Sequence, residues 1–177
     1  MSLNTIARTL LLAGFLAFAV THGAQAQSEG SAIIRTFTAT DIGQMMEELG
    51  GSADNVSAPI SGSDTHELAE IVVPLTYGSG TTANLFGMNC DSAEPIENRQ
   101  CTHFLLTKRF EFRNAEIAAL AAQAFNMLWY STEADGSQME IRRMDWISNG
   151  VTRDHLQSTL EEFGLGLVRV SNELHPR

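Results

Sequence analysis

The segment from Cys101 to Phe112 alternates between apolar and polar side chains, and this alternation limits the fold more than any other pattern in the sequence. The apolar positions are Phe104, Leu106, Phe110 and Phe112, and the polar positions are His103, Thr107, Arg109 and Glu111. Successive side chains of a β-strand point to opposite faces. The pattern therefore predicts a strand with one face in a core and the other in water.

Two earlier segments predict strands that pair with this one. Glu67–Leu75 is rich in β-branched and apolar residues, and Pro74 indicates an edge or an end of its strand. Gly78-Ser79-Gly80 then turns the chain into a strand over Thr82–Cys90. Connections this short favour antiparallel pairing. The polar loop before them contains one further short strand candidate, Val56–Ile60.

A first helix is predicted after Phe37. Thr38 caps the helix while Asp41 reaches back to the backbone, and Phe37 packs on Ile42 across the cap. Apolar residues then recur at helical spacing until Gly50-Gly51 ends the helix.

Two further helices and a hairpin complete the expected fold. The second helix runs from Ala115 to Trp129 behind Asn114, and a hairpin follows with strands Trp129–Glu133 and Gln138–Ile147 around Asp135-Gly136. A last helix begins after Thr152. Its buried stripe comprises Leu156, Leu160, Phe163, Leu167 and Val170, with Gly164 indicating close packing.

The predicted class is therefore α+β. Its order is helix, three strands, helix, two strands, helix, with a mostly antiparallel sheet of about five strands. Residues 27–177 are long enough for one domain, and no repeat or linker divides them.

The first 26 residues have the composition of a secretory signal peptide. Arg8 precedes an apolar run from Leu10 to Val20, and small residues follow up to Ala26. A bilayer-spanning helix needs about 20 apolar residues, so the run is too short for a permanent membrane anchor. We expect cleavage after Ala26 and a periplasmic or secreted product.

The chain is acidic, with 11 Lys and Arg against 21 Asp and Glu and a net charge of −10. Loss of Arg8 with the signal peptide takes the net charge from −10 to −11. Nucleic acids and anionic lipid surfaces attract positive fields. The charge therefore argues against both as partners.

The sequence contains two cysteines, Cys90 and Cys101, at the facing ends of consecutive predicted strands. In an oxidising compartment such a pair predicts a disulfide. The alternative is a reduced pair that serves an enzyme or a small-ligand protein, with His103 or His66 as base. A zinc site from the cysteines and His103 would need reduced thiols and a fourth ligand.

No other segment predicts catalysis, a metal or a cofactor. Adjacent acids such as Glu47-Glu48 and Glu161-Glu162 diverge on a helix, and the loop with Asp91, Glu94 and Glu97 lacks the spacing of a calcium loop. His155 and His175 are expected to be surface histidines.

The aromatic residues near the hairpin are expected either to fill the core or to line a binding groove. Trp129, Tyr130 and Trp146 cluster there, and Asn126 and Tyr130 fall off the apolar stripe of the second helix. Asn126, Tyr130 and Trp146 are therefore the candidate partner surface.

Several short motifs resemble the YbjN family over about Arg35 to Leu174. They are Phe37-Thr38-Ala39-Thr40-Asp41-Ile42 with Glu47-Glu48-Leu49-Gly50, the pair Cys90 and Cys101, Asn126 and Trp129, and Gly150-Val151-Thr152 with Leu156, Leu160 and Phe163. The family is described as regulators of bacterial sensory transduction, with a fold similar to that of type III secretion chaperones. The resemblance implies a small α+β domain that binds other proteins and has no catalytic residues.

We therefore expect an exported, non-enzymatic domain that binds a protein or peptide. A homodimer is one form that such binding can take, and an envelope structural protein is a further alternative.

Overall fold

The computed structural model describes residues 32–59, 68–91, 95–111, 129–132 and 138–174. The strands are β1 (Ile33–Ile34), β2 (Ser52–Ala53), β3 (Ala69–Thr76), β4 (Thr82–Cys90), β5 (Cys101–Glu111), β6 (Trp129–Thr132), β7 (Gln138–Trp146) and β8 (Val151–Thr152). The α-helices are α1 (Ala39–Glu48) and α2 (Arg153–Leu174), and a short 3-10 helix covers Ile96–Asn98.

Six of the strands form one antiparallel sheet in the order β2-β3-β4-β5-β7-β6. β1 and β8 pair separately, also antiparallel. The predicted α+β class with a mostly antiparallel sheet is confirmed. The prediction of about five strands omitted β1, β2 and β8, because a strand of two residues is too short to show a period.

The three central strands lie close to their predicted positions. β3 starts two residues later than expected and ends one residue later, β4 has its predicted bounds, and β5 ends one residue before Phe112, which lies outside the described residues. Pro74 sits within β3 opposite Asn84, and its carbonyl accepts the Asp54 N–H from the segment just after β2. Of the Val56–Ile60 candidate, the described residues 56–59 form a single bridge, Ser57 to Val72.

α1 begins with the predicted capping box. The Asp41 N–H donates to Thr38 Oγ1 at 3.2 Å, and the Thr38 N–H donates to Asp41 Oδ2 at 2.7 Å. These two bonds satisfy backbone groups that the first turn leaves open. The helix ends where Gly50 takes φ +73°, a conformation that glycine adopts without steric cost. Ile42, Met45 and Met46 are buried.

α2 has its predicted start and buried stripe. Thr152 Oγ1 accepts the His155 N–H at 3.1 Å, and all five predicted stripe residues are at most 1% exposed. Among the described residues, neither helix is both long and apolar enough to cross a membrane.

The predicted second helix is not confirmed, because residues 112–128 lie outside the described ranges. Trp129 was predicted both as the last residue of this helix and as the first residue of the hairpin, and the second prediction is confirmed, because Trp129 opens β6 and pairs with Arg142. Aromatic residues favour strands, and the pairing with β7 decides between the two assignments. The hairpin of β6 and β7 is otherwise confirmed, with Thr132 opposite Met139.

The core lies between α1, α2 and one face of the sheet, here called the near face. Phe104 and Leu106 point into this core as predicted, and both are 0% exposed. The opposite side, here called the far face, was predicted to be wet. That prediction is wrong for Leu105 and Thr107, which are 2% and 4% exposed, because Leu105 packs with Phe86 and Met88 in a second apolar cluster.

Gly164 provides the close packing that the sequence indicated. A Cβ at this position would overlap the ring of Tyr77, which lies against α2. The Tyr77 hydroxyl is buried and has no hydrogen-bond partner among the described residues, and burial raises the pKa of this group far above its usual value. The ring therefore contributes packing, whereas the hydroxyl is desolvated without compensation.

An ion pair joins the end of α1 to the start of α2. Arg153 donates to both carboxylate oxygens of Glu48, at 2.9 Å and 2.7 Å. The hydrogen bonding and charge of Arg153 lower the pKa of the Glu48 carboxyl below its usual value of 4.5.

We expect Tyr77→Phe to stabilise the protein by about 1 kcal/mol, because it removes an unsatisfied buried hydroxyl and keeps the ring. Urea unfolding of the purified protein measures this change. Gly164→Ala, on the other side of the same contact, should destabilise it. A Tyr77→Phe variant less stable than wild type would mean that the hydroxyl has a partner in solution.

The Glu48 ion pair should make stability fall in acid. Since the pKa of Glu48 is lower in the folded chain than in the unfolded chain, the stabilisation is complete above the unfolded value near 4.5 and is lost as pH falls through the folded value. Glu48→Gln should therefore lose stability less steeply than wild type in urea titrations between about pH 7 and 3. Arg153→Gln should flatten the profile in the same way, and an unchanged slope in both variants would refute the coupling.

Candidate functional site

Cys90 and Cys101 form the predicted disulfide, which joins the end of β4 to the start of β5. In this state neither sulfur is a thiolate, so the pair supplies no nucleophile and no metal ligand. Among the described residues, no group of three or more His, Cys, Asp and Glu side chains could hold a metal ion.

The two cysteines face each other at a position where the strands exchange no backbone hydrogen bonds. The Cys90 N–H donates instead to Glu70 Oε1 at 3.0 Å, and the Cys101 N–H donates to the Phe37 carbonyl at 2.9 Å. The disulfide holds the two Cα atoms 3.9 Å apart, compared with about 4.5 Å in an ordinary pair of this kind. Gly87 leaves the space beside it, since a Cβ there would lie 2.8 Å from Cys101 Sγ.

The residues next to the disulfide break the regular pairing of the two strands. Met88 pairs with His103 and Cys90 with Cys101 in the same register, but the intervening Asn89 and Thr102 do not form a regular strand pair. Asn89 has φ +50°, in the left-handed region that few residues other than glycine adopt. Its conformation turns the side chain toward β5.

Side-chain contacts connect this irregularity to the far face. Asn89 Nδ2 donates to Thr102 Oγ1 at 2.7 Å, and Thr102 Oγ1 lies 2.7 Å from His103 Nδ1. The His103 ring in turn meets the Trp146 ring edge to face, with centroids 6.1 Å apart and planes at 86°. We call Asn89, Thr102 and His103 the relay.

The far face exposes large apolar side chains at one end. Trp146 is 55% exposed and Met144 is 46% exposed, although their strand neighbours His103 and Leu105 are half-buried and buried. We call Met88, His103, Leu105, Met144 and Trp146 the Trp146 surface. Contiguous exposed apolar residues of this kind mark interaction sites more often than catalytic ones.

The Trp146 surface contains no carboxylate and no Lys or Arg, in a chain of net charge −10. On the far face of β7, charge begins at Arg142, which is paired with Glu140, whereas Arg143 and Asp145 belong to the near face. The surface is therefore a mostly apolar area without acidic, Lys or Arg side chains, within an acidic protein.

The three residues predicted as a partner surface do not lie together. Trp146 is exposed, whereas Asn126 lies outside the described residues. Tyr130 stands in β6 opposite Ile141, which belongs to the near-face core. Ile141 and Trp146 are five residues apart along β7, a distance of about 16 Å in a strand.

The other candidate residues do not build a catalytic site in the described ranges. His155 Nε2 lies 3.8 Å from Asp145 Oδ2 and is exposed, while His66 and His175 lie outside those ranges. A groove of about 520 Å³ runs between α1 and residues 53–56, with the carboxylates of Glu47, Asp54 and Glu97 along it. These acids line an open groove, and they are not grouped in a way that could hold a metal ion.

The sequence did not identify Asn89, Thr102 or Met144 as parts of the site. Met144 could have been found, because alternation along Gln138–Ile147 puts it on the same face as Trp146. Asn89 and Thr102 carry no such signal, since their contact depends on the strand register.

The fold resembles that of a solved protein. The crystal structure of an uncharacterized protein from Methanothermobacter thermautotrophicus matches with a TM-score of 0.51 and 9% sequence identity, over 76% of this chain and 94% of that chain. At this identity the likeness concerns the fold alone. No protein-family model matches the sequence, and no curated protein matches it.

Removing the disulfide with Cys90→Ala/Cys101→Ala should lower the free energy of unfolding by about 3 kcal/mol, because the unfolded chain gains the entropy of an open loop. Urea unfolding with and without a reducing agent measures the effect. Wild type should lose a similar amount when reduced, whereas the double variant should not respond. If the reductant destabilised both proteins equally, the loss of stability could not be due to reduction of the disulfide.

Proposed function

We propose that this protein is an exported, non-enzymatic, YbjN-like domain that binds a polypeptide partner through the Trp146 surface. The observation that carries the proposal is the exposure of Trp146 and Met144, side by side on a sheet face that is otherwise buried around Leu105. Tryptophan and methionine are enriched in protein interfaces, where their large apolar area is removed from water.

The charge distribution defines the chemistry of the partner. Most of the molecule repels acidic proteins, because the chain carries 21 acidic residues against 11 basic ones. The Trp146 surface offers no carboxylate, Lys or Arg as an ion-pair partner. A charged side chain of the partner would therefore lose its water there without compensation, which would be costly. The segment that binds there is therefore apolar and uncharged, and it belongs to a different polypeptide.

The expected location and the family resemblance support the same function. The signal peptide predicted over residues 1–26 would deliver the domain to an oxidising compartment, where the Cys90–Cys101 disulfide persists. The resemblance to the YbjN family, with its chaperone-like fold, favours binding of other proteins over catalysis. The regulatory role described for that family would then be exercised outside the cytoplasm.

A capture experiment tests the proposed surface. Mature wild type and Trp146→Ala are immobilised and exposed to an envelope extract, and the recovered proteins are compared by mass spectrometry. Leu165→Ala is the matched control, because Leu165 is 54% exposed on α2 and lies away from the far face. We expect a loss of at least about tenfold in recovery of the specific partner with Trp146→Ala only, as for truncation of a central aromatic residue.

Three further results would separate the alternatives. Equal recovery by wild type and Trp146→Ala would refute the surface. If the partner were lost with Tyr130→Ala but recovered with Trp146→Ala, the binding site would be at the β6 edge of the sheet. Elution of the purified wild type as a dimer, and of Trp146→Ala as a monomer, would identify a second copy as the occupant.

A further inference from the structure

The relay forms an unbroken series of contacts from the disulfide to the exposed ring of Trp146. We propose that it transmits the state of the disulfide to Trp146, so that reduction of the bond rearranges the Trp146 surface. The relay residues are then positioning residues for partner binding. Their role as positioning residues rests on the proposed function, whereas the coupling itself can be measured without a partner.

The first step of the coupling is the backbone of Asn89. Its neighbour Met88 is paired to β5 by the sheet, and its other neighbour Cys90 is fixed to β5 by the covalent bond. The chain between these two anchors takes the left-handed conformation at Asn89. Once the bond is broken, hydrogen bonds alone hold this strand end, from Cys90 to Glu70 and between Asp91 and Gln100, and the covalent constraint on the conformation of Asn89 is gone.

The second step is the side chain of Thr102. Its hydroxyl accepts from Asn89 Nδ2 at 2.7 Å and lies 3.3 Å from the Asn89 carbonyl, so it contacts Asn89 twice. The Thr102 carbonyl accepts the Ile147 N–H at 3.0 Å, directly after the last residue of β7. A shift of Thr102 therefore reaches both His103 and the end of the strand that carries Trp146.

The third step is the contact between two rings. Trp146 is the last residue of β7, and with 55% of its surface exposed it has few other neighbours to orient it. His103 is paired opposite it in the sheet and meets it edge to face. The ring of His103 is in turn held by Thr102 Oγ1. The orientation of Trp146 thus depends on the same hydroxyl that contacts Asn89.

The reaction requires a dithiol as reductant. One thiolate of the dithiol attacks the sulfur of the half-buried Cys90, forms a mixed disulfide with it, and displaces Cys101, which is 0% exposed, as a thiolate. The second thiolate of the dithiol then displaces Cys90. Two electrons pass to the protein, which with two protons becomes Cys90 and Cys101 thiols, and the dithiol becomes a disulfide.

The test follows the indole N–H resonance of Trp146 by NMR in the mature protein, oxidised and after reduction with a dithiol. The chain has two tryptophans, so comparison with Trp129→Phe assigns the signal. Thr102→Val removes the hydroxyl and keeps the shape of the side chain. Thr82→Val is the matched control, because it removes a hydroxyl bound to Lys108 at the other end of β4.

We expect reduction to shift the Trp146 resonance in wild type and in Thr82→Val. In Thr102→Val the resonance should already be shifted when oxidised, and reduction should add little, as expected for residues of one coupled network. An unshifted resonance in fully reduced wild type would overturn the proposal. A Trp146 resonance that is unshifted in oxidised Thr102→Val would also overturn it. This measurement needs no reduction, so it remains valid even if the reduced protein unfolds.

The outcome is separable from that of the capture experiment. A redox-dependent Trp146 resonance without any captured partner would refute the proposed function and keep the coupling. A partner captured equally by oxidised protein and by folded, reduced protein would keep the proposed function and refute the role of the relay in binding.

Discussion

The pairing of β4 with β5 is the constraint on which the remaining structure depends. These two strands are the centre of the sheet, and both of their faces are covered, by Leu85 and Leu106 on the near face and by Phe86 and Leu105 on the far face. Burial on both faces removes more apolar surface from water than the one-sided burial of a peripheral strand. β3 and β7 attach to the outer edges of this pair, and the disulfide closes one of its ends.

Much of this architecture follows from patterns in the sequence, and the exceptions have physical reasons. Local signals predicted α1, β4 and the start of α2 well, because a cap, a turn and a helical stripe depend on neighbouring residues. The far face was predicted to be wet from its polar residues alone, whereas Leu105, which the alternation puts on the same face, packs in a second cluster with Phe86. β1 and β8 form only because they meet each other, and two residues carry no period of their own.

In the candidate site, too, features with a local sequence signal were predicted, whereas those that depend on strand pairing were not. The sequence predicted the disulfide and singled out Trp146, both from residue type and compartment. It grouped Trp146 with Tyr130 because they are close to the same hairpin, but the register places Tyr130 opposite Ile141 and away from Trp146. The contact of Asn89 with Thr102 spans 13 residues and arises from an interruption in the strand pairing, which no local pattern encodes.

The pairing of β1 with β8 sets an order in which the molecule can be completed. β1 and α1 come first in the chain, yet Ile33 pairs with Thr152, and Glu48 binds Arg153 from 105 residues away. Contacts between such distant parts form late, because most of the chain must be available before they can be made. A chain delivered amino end first therefore holds β1 without its partner strand, and Glu48 without Arg153, until its last helix has emerged. The core can therefore be completed only after α2 is available to pack against it.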